Sequence, residues 1–413
     1  MARALQLAAR GRFHAAPNPH VGCVLVRDGA VIGEGFSQPA GGPHAEIEAL
    51  RAAGNARGAT AYVTLEPCNH HGRTGPCSEA LIAAGVARVV IALADPHRLA
   101  GGGAGRLREA GIAVETGLLE SEAKQLVRGF WLRHTRGWGR VRAKLASSLD
   151  GRTAMASGES QWITGLAARA DVQRLRAASG AIVTGVGTVL ADDCSLTVRE
   201  AEFAHTVGEA ALNGRQPLRV VLDSDLRTPA EAKVLQGGGE TLLLHREANP
   251  LVGATTRRDT VGGPSRARSR RVPWSGRVAP TAAEVKAEAE AEAGGHDAGR
   301  GEGAAPTETV SFAALPAAPG GGLDLHAMLR LLAAREVNEI LVESGPRLAG
   351  ALLAAGLLDE LIVYQAPCLL GSAGRPLVDL PLERMADKVP LALADQRRVG
   401  DDWRLTFTVT QDH

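Results

Sequence analysis

The sequence predicts an α/β protein with two domains, and two observations support this. Segments typical of strands and of helices alternate along nearly the whole chain, as they do in sheets covered by helices. The length of 413 residues also exceeds what one hydrophobic core usually organises. We place the boundary near Gly137, which gives a first domain of residues 1–137 and a second of residues 138–413.

The first domain is expected to begin with an amphipathic helix in MARALQLAAR. A hairpin follows in VGCVLVRDGAVIGEG, where Asp28-Gly29 supplies the turn. Pro43 and Gly54 then bound a helix in PHAEIEALRAAG. Further strands are predicted in TAYVTLEPC, ARVVIALADP and IAVETGLL, and further helices in SEALIAAG, GRLREAG and ESEAKQLVRGFWLRHTRG.

The second domain starts at RVRAKLASSLDGRTA and continues the alternation. Strands are predicted in AIVTGV, LRVVLDS, TLLLH, NEILVES and ELIVYQAP, and helices in ARADVQRLRAAS, HAMLRLLAAR and RLAGALLAAG. Residues 246–318 contain few large apolar side chains, so we interpret them as a low-complexity surface insertion, disordered or loosely helical. Its arginine cluster, Arg266 to Arg271, favours a solvated loop over an RNA contact, because an acidic repeat follows.

The composition argues against several classes of function. A net charge of +1 and an aromatic content of 3% favour neither nucleic acid nor acidic membranes as partners. No apolar run is long enough for a membrane span, and the N-terminus has no secretory signal pattern. Five widely spaced cysteines do not suit a disulfide framework. We therefore expect a cytoplasmic enzyme of small molecules.

A metal site is indicated by TLEPCNHHGRTGPC, residues 64–77, together with an earlier His-Ala-Glu. His44, Cys68 and Cys77 match the one-histidine, two-cysteine ligand set of zinc deaminases, and Glu46 matches their proton-shuttling glutamate. Three protein ligands leave the fourth zinc position open for water, as catalysis requires. We expect one zinc ion per chain, with Glu46 moving the proton.

The alternative is a structural zinc site in which His70 or His71 is the fourth ligand. It leaves Glu46, two residues from a ligand, without a role. The deaminase signature has two residues between the cysteines, whereas this chain has eight. The longer loop suits a flap that touches an anionic part of a substrate.

The motifs resemble those of the bifunctional deaminase–reductase family of riboflavin biosynthesis. NPHVGCVLV, HAE and LEPCNHHGRTGPC are similar to its pyrimidine deaminase, and KLASSLDGRTAMASGESQWIT, GVGTVLADDCSLTVR and ESGPRLAGALL to its reductase. The resemblance implies a cytidine-deaminase-like α/β/α domain followed by a dihydrofolate-reductase-like α/β domain. It also implies deamination of 2,5-diamino-6-(5-phosphoribosylamino)pyrimidin-4-one, then reduction of the ribosyl chain by NADPH. We expect a homo-oligomer, either a dimer or a tetramer.

The resemblance assigns roles to further residues of the first domain. It implies that Asn18 reads the pyrimidine edge and that His71 and Arg73 face the substrate. The chain departs from the family at DPHRLAGGG, where His97 follows Asp-Pro in place of a common Asn. The resemblance therefore assigns no substrate contacts to this loop.

In the reductase half, Gly185-Val186-Gly187 alone is a weak dinucleotide motif, and a tight turn explains it equally well. The strand–Gly–helix junction of EILVESGPRLAGALL can receive a phosphate on its backbone amides. The resemblance implies NADPH contacts at Ala146, Trp162, Thr188, Asp192, Ser224, Gly345, Pro346, Arg347, Leu348, Ala349 and Gly350. It implies substrate contacts at Ser160, Arg176, Leu196, Arg199 and Glu343.

Reduction of a sugar aldehyde also needs a proton donor for the new alkoxide. Lys144 and Glu343 are the ionisable candidates, and we favour Lys144, since a lysine buried in a strand is costly unless it is used or paired. Arg176 and Arg199 suit a phosphate, because the guanidinium fork matches it bidentately. A fusion with one inert half and a zinc-stabilised RNA-binding protein are the alternatives; intact candidate residues in both halves argue against the first, and low aromatic content against the second.

Overall fold

The structure is a computed structural model and describes residues 1–70, 75–97, 100–199, 201–203, 214–247 and 309–410. The chain forms two compact units. The first contains Met1–Arg140 and Glu336–Glu339, and the second contains most of the chain from Val141 onward. No helix in the described ranges is long and apolar enough to cross a membrane.

The first unit is built from a sheet and six helices within its described residues. The helices are α1 (Ala2–Arg10), α2 (Ala45–Ala53), α3 (Cys77–Ala83), α4 (Gly103–Glu109), α5 (Glu120–Leu126) and α6 (Arg128–Arg136). The strands are β1 (Gly22–Arg27), β2 (Ala30–Phe36), β3 (Thr60–Leu65), β4 (Arg88–Leu93) and β5 (Ala113–Thr116). Their order in the sheet is β2-β1-β3-β4-β5, with β1 antiparallel to both neighbours and β3, β4 and β5 parallel.

Strand β1 shows how this sheet is covered on both faces. Cys23 and Leu25 belong to the apolar cluster that contains Ala45 and Ala49 of α2. Val24, on the alternate face, packs in a separate cluster with residues of α1. Because side chains alternate across a strand, α1 and α2 cover opposite faces, giving an α/β/α arrangement.

The start of α2 lies unusually close to β2, and glycine makes this possible. A Cβ atom at Gly35 would lie 2.2 Å from the Ala45 carbonyl oxygen, and one at Gly33 would lie 2.2 Å from that of Ala49. Any side chain at these positions would push the helix off the sheet. The glycines therefore fix the position of His44 and Glu46 at the start of α2.

The second unit contains a longer sheet. Its strands are β6 (Arg140–Ser148), β7 (Arg152–Ala154), β8 (Ala181–Gly185), β9 (Leu218–Leu222), β10 (Glu240–Arg246), β11 (Thr309–Leu315), β12 (Glu339–Glu343), β13 (Glu360–Ala366), β14 (Arg375–Pro376), β15 (Leu391–Val399) and β16 (Asp402–Val409). Its helices are α7 (Leu166–Ala177), α8 (Val186–Asp192), α9 (Leu325–Ala334) and α10 (Pro346–Ala354). Strands β7 and β14 form a separate two-stranded ribbon.

The order of the large sheet is β11-β10-β9-β8-β12-β6-β13-β16-β15. Strands β11, β10, β9, β8 and β12 are parallel, as are β6 and β13, whereas β16 runs antiparallel to β13 and β15. Ligands of parallel α/β sheets bind beyond the carboxyl ends of such strands. The residues that follow β8, β9 and β12 therefore lie at the same edge of the sheet, where the carboxyl ends of these strands meet.

The structure confirms most predicted elements and differs at several places, among them helix α8 and strands β7 and β14, which were not predicted. The helix predicted in ESEAKQLVRGFWLRHTRG is two helices, broken at Val127 with φ −105° and ψ 27°. The prediction of an insertion over 246–318 is wrong at its end, because Thr309–Leu315 pairs in parallel with β10 as strand β11. Strands β15 and β16 were not predicted. Residues 248–308, including the arginine cluster, lie outside the described residues.

Candidate active sites

Three side chains that are far apart in sequence meet in the first unit. His44 immediately precedes α2, Cys68 follows β3, and Cys77 is the first residue of α3. The Nδ1 atom of His44 is 3.3 Å from the Cys77 Sγ and 3.6 Å from the Cys68 Sγ. All their ligand atoms lie within 4.8 Å of one another. They form the only such group of potential metal ligands among the described residues.

The donor set and spacing fit a zinc ion. Zinc–nitrogen and zinc–sulfur bonds of about 2.1 and 2.3 Å, at tetrahedral angles, place nitrogen and sulfur about 3.6 Å apart. The observed nitrogen–sulfur distances of 3.3 and 3.6 Å match this geometry. Three protein ligands are available, which leaves one position of a tetrahedron for a water or a substrate.

The electrostatics of the thiols also favour a cation. Hydrogen bonding from Cys77 and from His44 lowers the pKa of the Cys68 thiol to about 4, against the effect of burial. The pKa of Cys77 is raised, because its proton is shared with Cys68 and because the side chain is buried. The backbone N–H of Cys77, at the start of α3, donates to the Cys68 Sγ at 3.4 Å. The sulfur pair thus holds a proton that a metal ion would displace.

Glu46 lies two residues after His44, in the first turn of α2, and is almost completely buried, with 4% of its surface exposed. Burial raises the pKa of this carboxyl to about 7. Its electrostatic neighbours are Cys68, His44 and Cys77, so it faces the ligand cluster. A carboxyl with a pKa near neutrality beside a metal site is suited to accept and return a proton.

A second carboxylate, Glu66, braces the loop that carries Cys68; we did not identify it from the sequence. Its Oε2 accepts from the Asp95 backbone N–H at 3.1 Å. Its Oε1 accepts from the backbone N–H groups of Gly102 and Ala104 at 3.1 and 2.9 Å. Gly102, in the left-handed region at φ 94°, precedes α4. Glu66, two residues before the candidate ligand Cys68, therefore links the end of β3 to the start of α4.

We expect Glu66→Ala to weaken zinc binding about tenfold, a common cost of losing support around metal ligands. Three backbone donors lose their charged acceptor, so the Cys68 loop loses its fixed position. Zinc affinity can be measured by competition with a chromogenic chelator. Glu115→Ala is the matched control, since Glu115 lies on the exposed strand β5 and pairs with Arg88 of β4. Equal zinc affinity in both variants would show that Glu66 has no such role.

Of the remaining candidate residues of the first unit, the structure describes Asn18 and His97 but not His71 and Arg73. Asn18 lies half-buried in the loop before β1, where its backbone N–H donates to the Ala15 carbonyl at 3.0 Å. His71 and Arg73 lie outside the described residues. His97 donates its backbone N–H to Asp95 Oδ1 at 2.8 Å, and its ring centroid is 4.5 Å from that of His134. The His97 ring is therefore held by packing on α6.

The second unit contains an open cleft of about 2240 Å³. Nearly all candidate reductase residues line it: Lys144, Ala146, Ser160, Trp162, Arg176, Thr188, Asp192, Leu196, Arg199, Ser224, Glu343, Gly345, Pro346, Arg347 and Leu348. The junctions after β8 and β12 meet there, since the Gly345 N–H donates to the Thr188 hydroxyl at 3.2 Å. The cleft thus combines a strand–Gly–helix junction with ionisable side chains.

Arg176, Glu343 and Lys144 form the charged centre of this cleft. Arg176 holds Glu343 bidentately at 2.6 and 3.0 Å, and both side chains are 11% exposed. Burial would raise the pKa of Glu343, but the Arg176 guanidinium outweighs it and the pKa lies below its usual range. Burial lowers the pKa of Lys144, and Glu343 opposes that shift. Lys144 is therefore within electrostatic range of both Glu343 and Arg176.

Three expectations for this cleft change. The fork of Arg176 is taken by Glu343, and its Nη1 donates to the Thr197 carbonyl at 2.8 Å, so it does not present a free fork to a phosphate. Ala349 and Gly350 do not line the cleft. They lie on the buried face of α10, where a Cβ at Gly350 would lie 2.0 Å from the Asp379 carbonyl oxygen. These two residues serve packing.

Residues 318–324 also line the cleft, although residue 318 belongs to the insertion predicted over residues 246–318. Gly321 and Gly322 adopt φ of 87° and 81°, which reverses the chain before α9. Asp324 then caps this helix by accepting from the Ala327 N–H at 3.0 Å. The run of three glycines was the available signal, hidden by the low-complexity residues before it.

Comparison with known proteins accounts for both halves. Residues 1–93 match the model of the cytidine and deoxycytidylate deaminase zinc-binding region. Residues 140–262 and 284–405 match the RibD C-terminal domain. The riboflavin biosynthesis protein RibD of Escherichia coli strain K12 is 48% identical over 407 residues, covering 97% of this chain and 96% of that protein.

The chain belongs to the RibD family.

Other members of the RibD family agree over the full length. RibD of Haemophilus influenzae is 42% identical, covering 99% of this chain and 96% of that protein. The structure of Acinetobacter baumannii RibD superposes with a TM-score of 0.78 at 40% identity, covering 99% and 98% of the two chains. A Thermotoga maritima structure, described as a diaminohydroxyphosphoribosylaminopyrimidine deaminase and 5-amino-6-(5-phosphoribosylamino)uracil reductase, gives 0.75 at 27% identity, covering 99% and 97%.

Membership of the RibD family confirms the predicted fold: a cytidine-deaminase-like first domain and a RibD reductase domain. It also confirms a bifunctional deaminase–reductase of riboflavin biosynthesis that uses zinc and NADPH. The roles of individual side chains stay predictions.

Proposed function

We propose that this chain converts 2,5-diamino-6-(5-phosphoribosylamino)pyrimidin-4-one to 5-amino-6-(5-phosphoribitylamino)uracil in two steps. The first replaces the 2-amino group by oxygen and releases ammonia. The second reduces the ribosyl chain to ribityl with NADPH. We assign the first step to residues 1–137 and the second to residues 138–413. The observation that carries the proposal is the pairing, in one chain, of a three-ligand site beside Glu46 with a cleft centred on Lys144 and Glu343.

For the deaminase, we propose that His44, Cys68 and Cys77 hold one zinc ion. When bound, zinc supplies the Lewis acidity that makes water a nucleophile near neutral pH. The chain's own contribution is Glu46, which accepts a proton from the attacking water and gives it to the ring nitrogen, and then moves the remaining proton of the C2 hydroxyl to the departing amine. The bond between C2 and the amino nitrogen breaks, and ammonia leaves. The burial of Glu46 supports this role, since its raised pKa suits both transfers.

The substrate contacts of the deaminase follow from the same proposal. We assign Asn18 to the pyrimidine edge, and His71 and Arg73 to contacts with the substrate. We assign His97 no part in the chemistry, since its ring packs against the ring of His134.

For the reductase, NADPH, when bound, would supply the hydride that reduces C1′ of the opened ribose chain. The new alkoxide needs a proton, and we propose that the Lys144 ammonium donates it. Glu343 favours the charged form of Lys144, and Arg176 positions Glu343 through its bidentate contact. Ser160, Leu196 and Arg199 are the remaining proposed substrate contacts. Arg199 lies partly exposed against Glu202, so it can exchange that partner for a phosphate.

Product analysis tests the two-step proposal. The pyrimidine substrate, NADPH and the zinc-loaded protein should give a product with the mass of the ribitylaminouracil phosphate. Treatment with a zinc chelator should stop ammonia release and leave reduction of supplied 5-amino-6-(5-phosphoribosylamino)uracil intact. A chelated protein that still releases ammonia would contradict the metal-dependent first step.

We also propose that the chain forms a homo-oligomer, a dimer or a tetramer. Strand β15 is the last strand of the described large sheet, and it exposes 40% of Leu391 and 53% of Leu393. Apolar side chains on an edge strand favour pairing with another chain. Light scattering should therefore give a mass at least twice 42.9 kDa, and Leu391→Lys with Leu393→Lys should reduce it. A monomeric mass for the unmodified chain would contradict this proposal.

A cytoplasmic location completes the proposal. None of the five cysteines forms a disulfide, as expected in a reducing compartment. NADPH and a phosphorylated substrate are also available there.

A further inference from the structure

The loop that carries Asn18 has few backbone donors with which to hold itself in place. Pro17 and Pro19 flank Asn18, and neither has an N–H group. The Asn18 N–H donates to the Ala15 carbonyl at 3.0 Å. Among the described residues, no group hydrogen-bonds the Asn18 side chain, so its amide is available to a ligand. The position of that amide therefore depends on how the carbonyl groups of the two prolines are held.

Side chains hold both of these carbonyls. The hydroxyl of buried Ser37, directly after β2, donates to the Pro19 carbonyl at 3.0 Å. Asn338 is also buried, and its Nδ2 donates to the Pro17 carbonyl at 2.6 Å. The backbone is thus fixed by one side-chain donor on each side of Asn18.

Asn338 comes from a distant part of the chain, between α9 and β12, yet the segment Glu336–Glu339 belongs to the first compact unit. Two glycines allow its close approach, because a Cβ at Gly129 or at Gly139 would lie 2.2 Å from the Asn338 carbonyl oxygen. The same oxygen accepts from the Arg140 N–H at 2.8 Å. The backbone of Asn338 is therefore a fixed point from which its side chain reaches the loop.

The two partners of the Asn338 amide require both of its ends. Arg133 on α6 donates from Nε to the Asn338 Oδ1 at 2.7 Å, and a guanidinium can only donate. The Pro17 carbonyl can only accept, so the nitrogen of the amide must face it. An aspartate at this position would keep the acceptor for Arg133 but would place two acceptors together at Pro17.

We infer that Asn338 is a positioning residue of the deaminase: by holding the Pro17 carbonyl, it sets where the Asn18 amide meets the pyrimidine edge. Ser37 supports the same loop from the Pro19 side. The inference rests on the proposed role of Asn18 in binding the pyrimidine, so the test includes substitutions of both asparagines. It also brings a residue from beyond position 137 into the deaminase.

Asn338→Asp is the main test, in the full-length, zinc-loaded protein supplied with the diaminopyrimidine phosphate. Loss of the Pro17 contact should raise KM for deamination about tenfold, the scale of one buried hydrogen bond, and change kcat less than about twofold, since Glu46 is untouched. Asn338→Ala, which adds no charge, should give the same increase. Zinc content and reduction of supplied 5-amino-6-(5-phosphoribosylamino)uracil should not change. Asn55→Asp is the matched control, because Asn55 is exposed and its Oδ1 accepts from the Arg57 N–H.

Combined substitutions give a readout that a general loss of stability would not produce. Asn18→Ala should raise KM at least as much as Asn338→Asp does, and in the Asn18→Ala protein Asn338→Asp should add less than about twofold, because the residue through which it acts is gone. A further increase of about tenfold in the double variant would overturn the inference. An unchanged KM in Asn338→Asp, or a parallel fall in reduction, would also overturn it. An unchanged KM in Asn18→Ala would instead contradict the proposed role of Asn18, and the inference with it.

Discussion

Glu46→Gln is expected to lower ammonia release by about 10²- to 10⁴-fold, the usual contribution of a positioned acid–base group. The amide has the size of the carboxyl but cannot accept a proton from water. The site should still bind one zinc ion, because none of the three candidate ligands changes. Reduction of supplied 5-amino-6-(5-phosphoribosylamino)uracil should be unaffected, since Glu46 is in the first unit and the reductase cleft in the second.

The control for this experiment is Glu48→Gln. Glu48 lies on the same helix but pairs with Arg51 at 2.9 Å on the solvent side, so its loss should leave both activities intact. Zinc content is measured by atomic absorption and ammonia by a coupled enzymatic assay. Rapid ammonia release by zinc-loaded Glu46→Gln would remove Glu46 from the mechanism. Loss of zinc would instead show that the residue supports the metal site.

Lys144→Met should lower kcat of the reductase by about 10²-fold or more, because the alkoxide loses its proton donor. Methionine keeps most of the side-chain volume. Glu343 keeps its bidentate partner Arg176, so the substitution leaves no uncompensated buried carboxylate. NADPH binding, followed by fluorescence quenching, and ammonia release should both stay near their original values. Lys388→Met, at an exposed position outside the cleft, is the control.

The pH profile gives an independent check on Lys144. The proposed donor is active when protonated, so the reductase rate should fall as the pH rises through the pKa of Lys144. Burial lowers that pKa, so the fall should begin at a lower pH than an exposed lysine would give. The alkaline limb should be absent in Lys144→Met. An unchanged rate and profile in this variant would contradict the assignment.

Local sequence patterns predicted the first unit well. The Asp28-Gly29 turn, the helix bounded by Pro43 and Gly54, and the β-branched strand before Cys68 each form from neighbouring residues. The candidate zinc ligands could also be found, because a metal site demands particular residue types at particular ends of elements. Glu66 was missed since its partners, at Asp95 and beyond, are backbone amides that carry no sequence signal.

The second unit shows where such patterns fail. Strand β15 is mostly exposed and β16 only partly buried, so neither has the apolar alternation that marks a half-buried strand. Strand β16 pairs with β13, which lies far away in sequence, and β15 joins the sheet only through β16. Strand β11 was hidden because low-complexity residues precede it. The break at Val127 has no proline to mark it, and the nearby Gly129 lies within α6.

The reductase centre illustrates the same limit in chemical terms. The sequence identified Arg176, Glu343 and Lys144 through a family resemblance. The bidentate contact between Arg176 and Glu343 joins residues 167 positions apart, which no local pattern reveals. That contact changes the proposed role of Arg176 from binding a phosphate to positioning a carboxylate.

The central claim is that one chain performs two chemically separate steps at two sites. The most direct test supplies the diaminopyrimidine phosphate to the unmodified protein and follows ammonia release and NADPH oxidation separately in the same sample. We predict one equivalent of ammonia and one of oxidised NADPH per substrate, with ammonia still released in full when NADPH is omitted. Failure to release ammonia, or release without any NADPH oxidation, would contradict the claim.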